Sequence, residues 1–122
     1  MPTPSQSFRD VVVWQKAHAF ALAIYRCTEA FPKHEMFALT SQLRRASSSI
    51  GANFVEGFRK RTAPDKIRFY NTAQGSADEC LYHLILAHDL QYANTTALQD
   101  EVEEVSRLLQ SYINGLERNS PR

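Results

Sequence analysis

Apolar side chains recur every three or four residues along most of this 122-residue chain, which is the spacing of one face of an α-helix. The first such segment predicts a helix from Val11 to about Ala30, and Pro32 then interrupts it. Its apolar stripe consists of Trp14, Ala17, Ala21, Ile24, Thr28 and Phe31, widened by Phe20 and Leu22. The stretch AFALAIY is apolar nearly all round, so we expect this helix to be central or covered by something else.

The second predicted helix starts near Glu35. Its end lies between Gly57 and about Lys60, because Gly57 can either act as a left-handed terminator or lie within the last turns. One face carries Leu39, Leu43, Ala46, Ile50 and Phe54.

A third helix begins after Thr62, which has the composition of an N-cap and is followed by Pro64 and Asp65 at favourable first-turn positions. We expect it to run to about Tyr92. Its apolar stripe consists of Tyr70, Ala73, Ala77, Cys80 or Leu81, Leu84 and Ala87.

The fourth helix is predicted to open with a capping box formed by Thr96 and Gln99. An unbroken heptad seam follows, with alternating steps of four and three residues. The seam consists of Leu98, Val102, Val105, Leu109, Tyr112 and Leu116.

Short connections make sequential helices antiparallel neighbours, and no strand pattern competes with the helical periodicity. The predicted fold class is therefore all-α, an antiparallel up-down-up-down four-helix bundle with crossing angles of roughly 20°. We expect a single domain over residues 1–122, with an ordered core at about 8–118 and short flexible tails.

Composition adds few constraints. A net charge of +1 gives no overall attraction to nucleic acid or membrane. Cys27 and Cys80 have no metal-type spacing, and each falls on an apolar helical phase, so we expect small buried hydrophobes. No signal pattern or membrane-length apolar run is present, which predicts a cytoplasmic protein without membrane contact.

Helix 2 also carries a line of small and polar residues beside its apolar stripe. Opposite it, helix 3 offers Asn71, Gly75 and Asp78, with Ser76 and Ala77 alongside. We interpret the line as a packing seam within or between subunits, because buried polar groups need partners and fix the helix register. A bare surface face and a ligand or catalytic site are the alternatives. The seam consists of Gln42, Ala46, Ser49, Asn53 and Glu56.

Charge is unevenly distributed along the chain. No lysine or arginine occurs between Phe69 and Ser106, where acidic residues accumulate. Opposite charges on one monomer allow head-to-tail contacts that close into rings, and we predict that Arg44 or Arg45 contacts an acidic residue of helix 3 or 4, within or between subunits. From Arg44 to Arg68 the basic residues are Arg44, Arg45, Arg59, Lys60, Arg61, Lys66 and Arg68.

The basic residues around the junction of helices 2 and 3 are interleaved with Phe58, Phe69 and Tyr70. Cations and aromatic rings in such a pattern are typical of RNA-contacting loops. The alternative is a solvated corner between two helices. The sequence therefore predicts that this corner, together with Arg44 and Arg45, contacts nucleic acid or a partner.

The histidines give no clear catalytic or metal site. A di-iron bundle requires Glu-x-x-His on two helices, and this pattern is missing from the sequence. Glu79 and His83 read as a surface pair, and His88 as a core or boundary histidine. No phosphate-binding loop or nucleophile elbow occurs, so we expect no cofactor and no enzyme activity, with a metal-dependent enzyme as the remote alternative.

Several segments resemble bacterial four-helix-bundle proteins encoded within intervening sequences of large-subunit ribosomal RNA genes. They are FRDVVVWQKA, YRCTEAFPKHEMFALTSQLRRASSSIGANFVEGFRKRT and FYNTAQGSADE, and the likeness covers Phe8 to about Leu116. Its most specific part is the spacing of Ser49, Asn53, Glu56 and Gly57. Gly51 stands where that family usually carries proline, which leaves the helix less rigid there.

The resemblance implies a bundle that assembles as a homopentameric ring. It also implies distant kinship with the accessory protein of diversity-generating retroelements, which associates with a reverse transcriptase and nucleic acid. We therefore expect a non-enzymatic scaffold or binding module for RNA or a nucleic-acid enzyme. A purely structural homo-oligomer without nucleic acid is the alternative.

Overall fold

A computed structural model describes residues 7–119 of the protein. It contains four α-helices: α1 at Val12–Thr28, α2 at Leu39–Arg59, α3 at Ala63–Asp89 and α4 at Thr96–Asn119. Short 3-10 helices at Phe8–Asp10 and Lys33–Glu35 precede α1 and α2. No strand occurs in this range. Apart from Ser7 and Asn119, the predicted flexible tails lie outside the described residues.

The four helices pack in a closed cycle. Each helix contacts the next one along the chain, and α1 also contacts α4, while α2 and α3 share the most extensive contact. Helices that pack in this cycle around one core form a four-helix bundle. The predicted all-α fold class is confirmed.

The core lies where the apolar periodicity places it. All five predicted stripe residues of α2 are buried, from Leu39 to Phe54, and α2 runs unbroken through Gly51. On α4 the heptad seam buries Val102, Val105 and Leu109. Ile113 is also buried, while its neighbour Tyr112 is only partly covered.

The outer side of α1 is not covered by any of the residues that the structure describes. Ala17, Phe20 and Ile24 are buried, but Leu22 and Tyr25 are 43% and 44% exposed. The apolar stretch predicted to be central or covered therefore has one bare side. Helices α2 and α4 contact α1 and cover only the side of it that faces the core.

The boundaries of α2 correct one prediction and resolve another. The helix begins at Leu39 rather than near Glu35, because Ala38 has φ −125° and ψ −105°, outside the helical region. No glycine among the described residues has positive φ, so Gly57 is not a left-handed terminator. It lies in the last turn, and the helix ends at Arg59, where Lys60 turns to extended backbone.

At the start of α3, Thr62 is the N-cap as predicted, and its side chain accepts a hydrogen bond from the Asp65 backbone N–H at 3.3 Å. The end of α3 was predicted too late. The helix stops at Asp89 rather than Tyr92, because the chain turns at Gln91, whose φ is 63°.

The predicted capping box of Thr96 and Gln99 is not formed, and the Thr96 backbone N–H instead donates to Oδ1 of Asn94 at 3.1 Å. Thr96 is the first helical residue, and the Gln99 side chain donates to Oγ1 of Thr95 at 3.0 Å. Oγ1 of Thr95 itself donates to the carbonyl of Leu84 at 2.7 Å, which ties the start of α4 to α3. Thr95 is fully buried and fixes this corner.

The cysteines are free thiols. Cys80 is fully buried, as predicted, and burial together with the nearby Glu79 raises the pKa of its thiol to about 12. Cys27 is only partly buried, and this burial raises the pKa of its thiol too. Raised thiol pKa values disfavour the reactive thiolate, in keeping with a packing role.

Candidate nucleic-acid interface and the α2–α3 cleft

The centre of the polar line on α2 forms a small network with α3. Oγ of Ser49 lies 3.0 Å from Oγ of Ser76. Nδ2 of Asn53 donates to the backbone carbonyl of Ser49 at 2.9 Å and to its Oγ at 3.0 Å. Small side chains allow the two helices to approach here, and hydrogen bonds satisfy their polar atoms.

The side chains at the two ends of the polar line have no hydrogen-bond or ion-pair partner among residues 7–119. Gln42 and Glu56 are exposed. On α3 the residues expected opposite, Asn71, Gly75 and Asp78, are exposed as well, and Ser76 makes the contact instead. The line thus borders the buried interface and is open to solvent at both ends.

A polar cleft of about 460 Å³ opens between α2 and α3 beside this network. His83 is its buried polar member, 8% exposed, and its Nδ1 has no hydrogen-bond partner. Burial lowers the pKa of His83, while the charge of Glu79 acts against this shift. The expectation of a surface pair is therefore wrong for His83. The cleft is lined by Gln42, Arg45, Ala46, Ser49, Ser76, Glu79 and His83.

Arg44 binds the end of α1 rather than an acidic residue. Its Nε donates to Oγ1 of Thr28 at 2.8 Å, and its guanidinium lies 5.1 Å from the ring centroid of Tyr25. Arg45 donates to Oγ of Ser41 at 3.2 Å. Between residues 7 and 119 neither arginine forms an ion pair, so the predicted acidic contact within the chain is wrong. A contact between subunits stays a prediction.

The junction of α2 and α3 forms a basic corner, consisting of Arg59, Lys60, Arg61, Lys66 and Arg68. All but Lys66 are exposed. Nζ of Lys60 lies 5.0 Å from the ring centroid of Phe69, and Cζ of Arg68 lies 5.7 Å from it. The corner therefore places two exposed cations against one half-buried aromatic ring.

Lys66 has a structural role at this corner. Its Nζ donates to the carbonyl of Phe58 at 2.6 Å and approaches that of Gly57 at 3.5 Å. A cation at the C-terminal end of a helix satisfies carbonyls that lack intrahelical partners. Burial lowers the pKa of Lys66. Its ammonium is thus engaged with α2 and not freely available to a ligand.

Tyr70 does not belong to the exposed aromatic set. It is fully buried, stacked on Phe54 with ring centroids 4.9 Å apart and edge-on to Tyr112 at 5.5 Å. The prediction that Tyr70 interleaves with the cations is wrong, because its place on the apolar stripe of α3 decides its direction. Phe58 and Phe69 remain as the half-buried aromatics of the corner.

The other histidines make local contacts. His18 is exposed and stacks on Trp14, with ring centroids 4.9 Å apart. Nδ1 of His88 accepts a hydrogen bond from the Thr95 backbone N–H at 3.2 Å, which confirms the predicted boundary histidine. In the described part of the chain no three metal-ligating side chains cluster.

Sequence analysis missed a large exposed apolar surface. Met36 and Phe37 lie between α1 and α2, outside any helical stripe, and Phe37 is 96% exposed. Together with Tyr25 they border a groove that also contains Arg44 and Arg45. Tyr82 and Ile85 on α3 and Leu90 after it form a second group of exposed apolar side chains. Adjacent apolar residues in a connection are the signal that could have revealed Phe37.

Comparison with known proteins gives a family and a structural relative. The family model described as 23S rRNA-intervening sequence protein matches residues 9–111. A crystal structure of a protein of unknown function from the S23 ribosomal protein family of Bacteroides thetaiotaomicron is similar, with a TM-score of 0.77 and 28% identity. The match covers 84% of this chain and 96% of that chain. Among curated proteins no match is found. None of the helices between residues 7 and 119 could span a membrane.

Proposed function

The chain belongs to the 23S rRNA-intervening sequence protein family, and we propose that it is a cytoplasmic, non-enzymatic, self-assembling module that binds RNA through its basic corner. The proposal depends on one observation, that the cations of the basic corner are exposed and unpaired. Arg59, Lys60 and Arg61 are exposed, and none of them forms an ion pair within the described residues. Unpaired cations beside aromatic rings favour single-stranded RNA as the ligand.

The geometry of the corner supports contact with a flexible strand. Phe69 lies beneath Lys60 and Arg68, so a base that displaces one cation finds a ring face to stack on. Base–aromatic stacking contributes about 1–3 kcal/mol per base. The phosphates of such a strand then lie within reach of the surrounding arginines.

Filter binding at several salt concentrations tests the RNA proposal. Each phosphate contact to a single strand contributes roughly −0.7 to the slope of log K against log salt. Replacing Arg59, Lys60 and Arg61 by alanine should therefore weaken binding and reduce the slope by about 2. A control with the same loss of charge replaces Arg26, Lys33 and Arg107, which are exposed elsewhere. Equal retention of RNA by the two variants would reject the corner as the contact.

Self-assembly is supported by the two exposed apolar groups. Phe37 and its neighbours lie on the α1–α2 side, next to Arg44 and Arg45, whereas Tyr82 lies on α3 near acidic Asp78 and Glu79. Two different surfaces with complementary charge make a heterologous contact, which closes into a ring when the rotation permits. We propose a homopentamer on the basis of the family resemblance.

Light scattering coupled to size exclusion tests the assembly. The wild-type protein should elute with five times the monomer mass. A double variant, Phe37→Ser with Tyr82→Ser, removes one apolar anchor from each surface and should shift the mass toward the monomer. Val12→Ser is the control, because it alters a 52% exposed apolar residue outside the two surfaces. Leu108→Ser would not serve, because Leu108 packs on the core. A monomeric wild type would refute the assembly, and a double variant with unchanged mass would refute the two apolar groups as its contacts.

A further inference from the structure

The α2–α3 cleft holds an arginine and a carboxylate that do not pair with each other. Arg45 and Glu79 both line it, one from each helix, but they form no ion pair, so their charged atoms are more than 4.0 Å apart. Glu79 has no hydrogen-bond partner among the described residues, and Arg45 spends one N–H on Ser41. A cation and a carboxylate thus face a shared space of about 460 Å³ without neutralising each other.

His83 provides an independent observation, a buried nitrogen atom without a hydrogen-bond partner. Its side chain is more than nine-tenths buried and lines the cleft, and Nδ1 has no partner. Buried polar atoms without partners are rare and call for an explanation. Burial lowers the pKa of His83, which favours the neutral imidazole, and a neutral imidazole nitrogen can donate or accept one hydrogen bond.

The serine pair supplies one further hydrogen-bond donor. Ser49 and Ser76 share a single hydrogen bond between their hydroxyl oxygens, and Ser49 also accepts from Asn53. Two hydroxyl hydrogens are available and only one is used between them. Whichever serine donates, the other keeps an O–H at the edge of the cleft.

We propose that the α2–α3 cleft is a binding site for a guanine base. Guanine carries two adjacent N–H donors, N1–H and the N2 amino group, which match the two oxygens of one carboxylate such as Glu79. The adjoining edge carries the O6 and N7 acceptors, which an arginine such as Arg45 recognises with two N–H groups. A planar base that lies between these two side chains therefore satisfies both walls of the cleft, next to the unpartnered His83.

The other bases fit this arrangement less well. Adenine and cytosine each offer a single exocyclic amino group to a carboxylate, and uracil offers a single ring N–H. None of them presents two adjacent N–H donors on one edge and two acceptors on the adjoining edge. The pair of Glu79 and Arg45 therefore selects guanine rather than a base in general.

This inference rests on the proposed RNA function and adds a sequence preference to it. Arg45 and Arg59 are both exposed on α2, and fourteen residues separate them, about 21 Å along the helix axis. A strand held at the basic corner can therefore extend along α2 and place a base in the cleft. Binding of a mononucleotide, however, does not require the corner.

Titration of the full-length protein with nucleoside monophosphates tests the site. With His83 followed by NMR through its ring nitrogens, GMP should shift the Nδ1 resonance and bind about tenfold more tightly than AMP, CMP or UMP. IMP, which lacks the N2 amino group, should bind more weakly than GMP. Glu79→Gln should raise the Kd for GMP about tenfold, whereas Glu103→Gln, an exposed acid of α4, should leave it unchanged.

Two results would overturn the site. Equal affinity for all four nucleotides would mean that Arg45 holds only the phosphate. No shift of His83 at millimolar GMP would mean that the cleft takes no base. The RNA proposal fails by a separate result, unchanged RNA retention after loss of Arg59, Lys60 and Arg61, so the two failures are distinguishable.

Discussion

A Cβ atom added to Gly57 would lie 2.6 Å from Cε1 of Tyr70 and 3.0 Å from Cδ1 of the same ring. Gly57 has ordinary helical backbone geometry, so the position requires glycine for space rather than for conformation. The hydrogen side chain lets the end of α2 rest directly on the buried ring of Tyr70. This contact fixes how closely α2 and α3 approach at the basic corner.

Gly57→Ala should lower the free energy of unfolding by about 1–3 kcal/mol, because an added methyl group must displace a buried ring. Urea unfolding measures the loss. Gly75→Ala is the matched control, since a Cβ there meets nothing within 4 Å. That variant should gain about 0.5–1 kcal/mol from helix propensity. If the two variants proved equally stable, the close packing of Gly57 on Tyr70 would be disproved.

Tyr70→Phe should leave the stability unchanged or raise it. The hydroxyl of Tyr70 is buried without a hydrogen-bond partner, and such an atom costs about 1–3 kcal/mol when it loses its contact with water. Burial, followed by the neighbouring Tyr112, also raises the pKa of this hydroxyl above its ordinary value. Thermal unfolding provides the comparison. A clear loss of stability in Tyr70→Phe would show that the hydroxyl has a partner.

Thr95→Val should destabilise the protein by about 1–3 kcal/mol. The substitution removes the hydroxyl that donates to the carbonyl of Leu84 and accepts from Gln99, in a fully buried position. Thr96→Val changes an exposed neighbour and should cost at most about 0.5 kcal/mol. Chemical denaturation of both variants decides which threonine anchors the start of α4. The opposite ranking would contradict the anchoring role of Thr95.

His83 should make the protein less stable in mild acid. Burial lowers the pKa of His83, and the negative charge of Glu79 on α3 opposes this shift. Arg45 of α2 lines the same cleft from the facing helix. The unfolded chain therefore takes up this proton first, so stability is lost as the pH falls below 6.5 toward the folded pKa and is fully present above it.

The measurement is the difference in unfolding free energy between pH 7 and about pH 5. His83→Gln should show a smaller difference than the wild type, because it removes the group whose proton uptake favours unfolding. His18→Gln, which changes an exposed histidine stacked on Trp14, is the control. Identical pH profiles for the wild type and His83→Gln would contradict the role of the buried imidazole.

Periodicity predicted the core because burial follows the helical repeat, as Leu43, Ile50 and Phe54 show. It placed helix ends less well. Two adjacent threonines lie at the start of α4. Only the hydrogen bond from Thr95 to the carbonyl of Leu84, eleven residues earlier, distinguishes their roles. Local sequence does not contain that contact.

The candidate site was less predictable than the core. The exposure of Arg59 and Lys60 follows from their place at a helix end, whereas the inward direction of His83 depends on which side of α3 meets α2. Its neighbour Glu79 suggested a surface pair. Lys66 was counted with the free cations because its bonds to carbonyls of α2 form only when the two helices meet.

Photo-crosslinking of the wild-type protein to bound RNA tests the central claim most directly, with the linked peptides identified by mass spectrometry. The basic corner should yield the linked peptides, with Phe58 and Phe69 as the residues that carry nucleotide adducts. Adducts confined to α1 or α4, or the absence of any adduct under conditions where RNA is retained, would contradict the assignment of RNA binding to this corner.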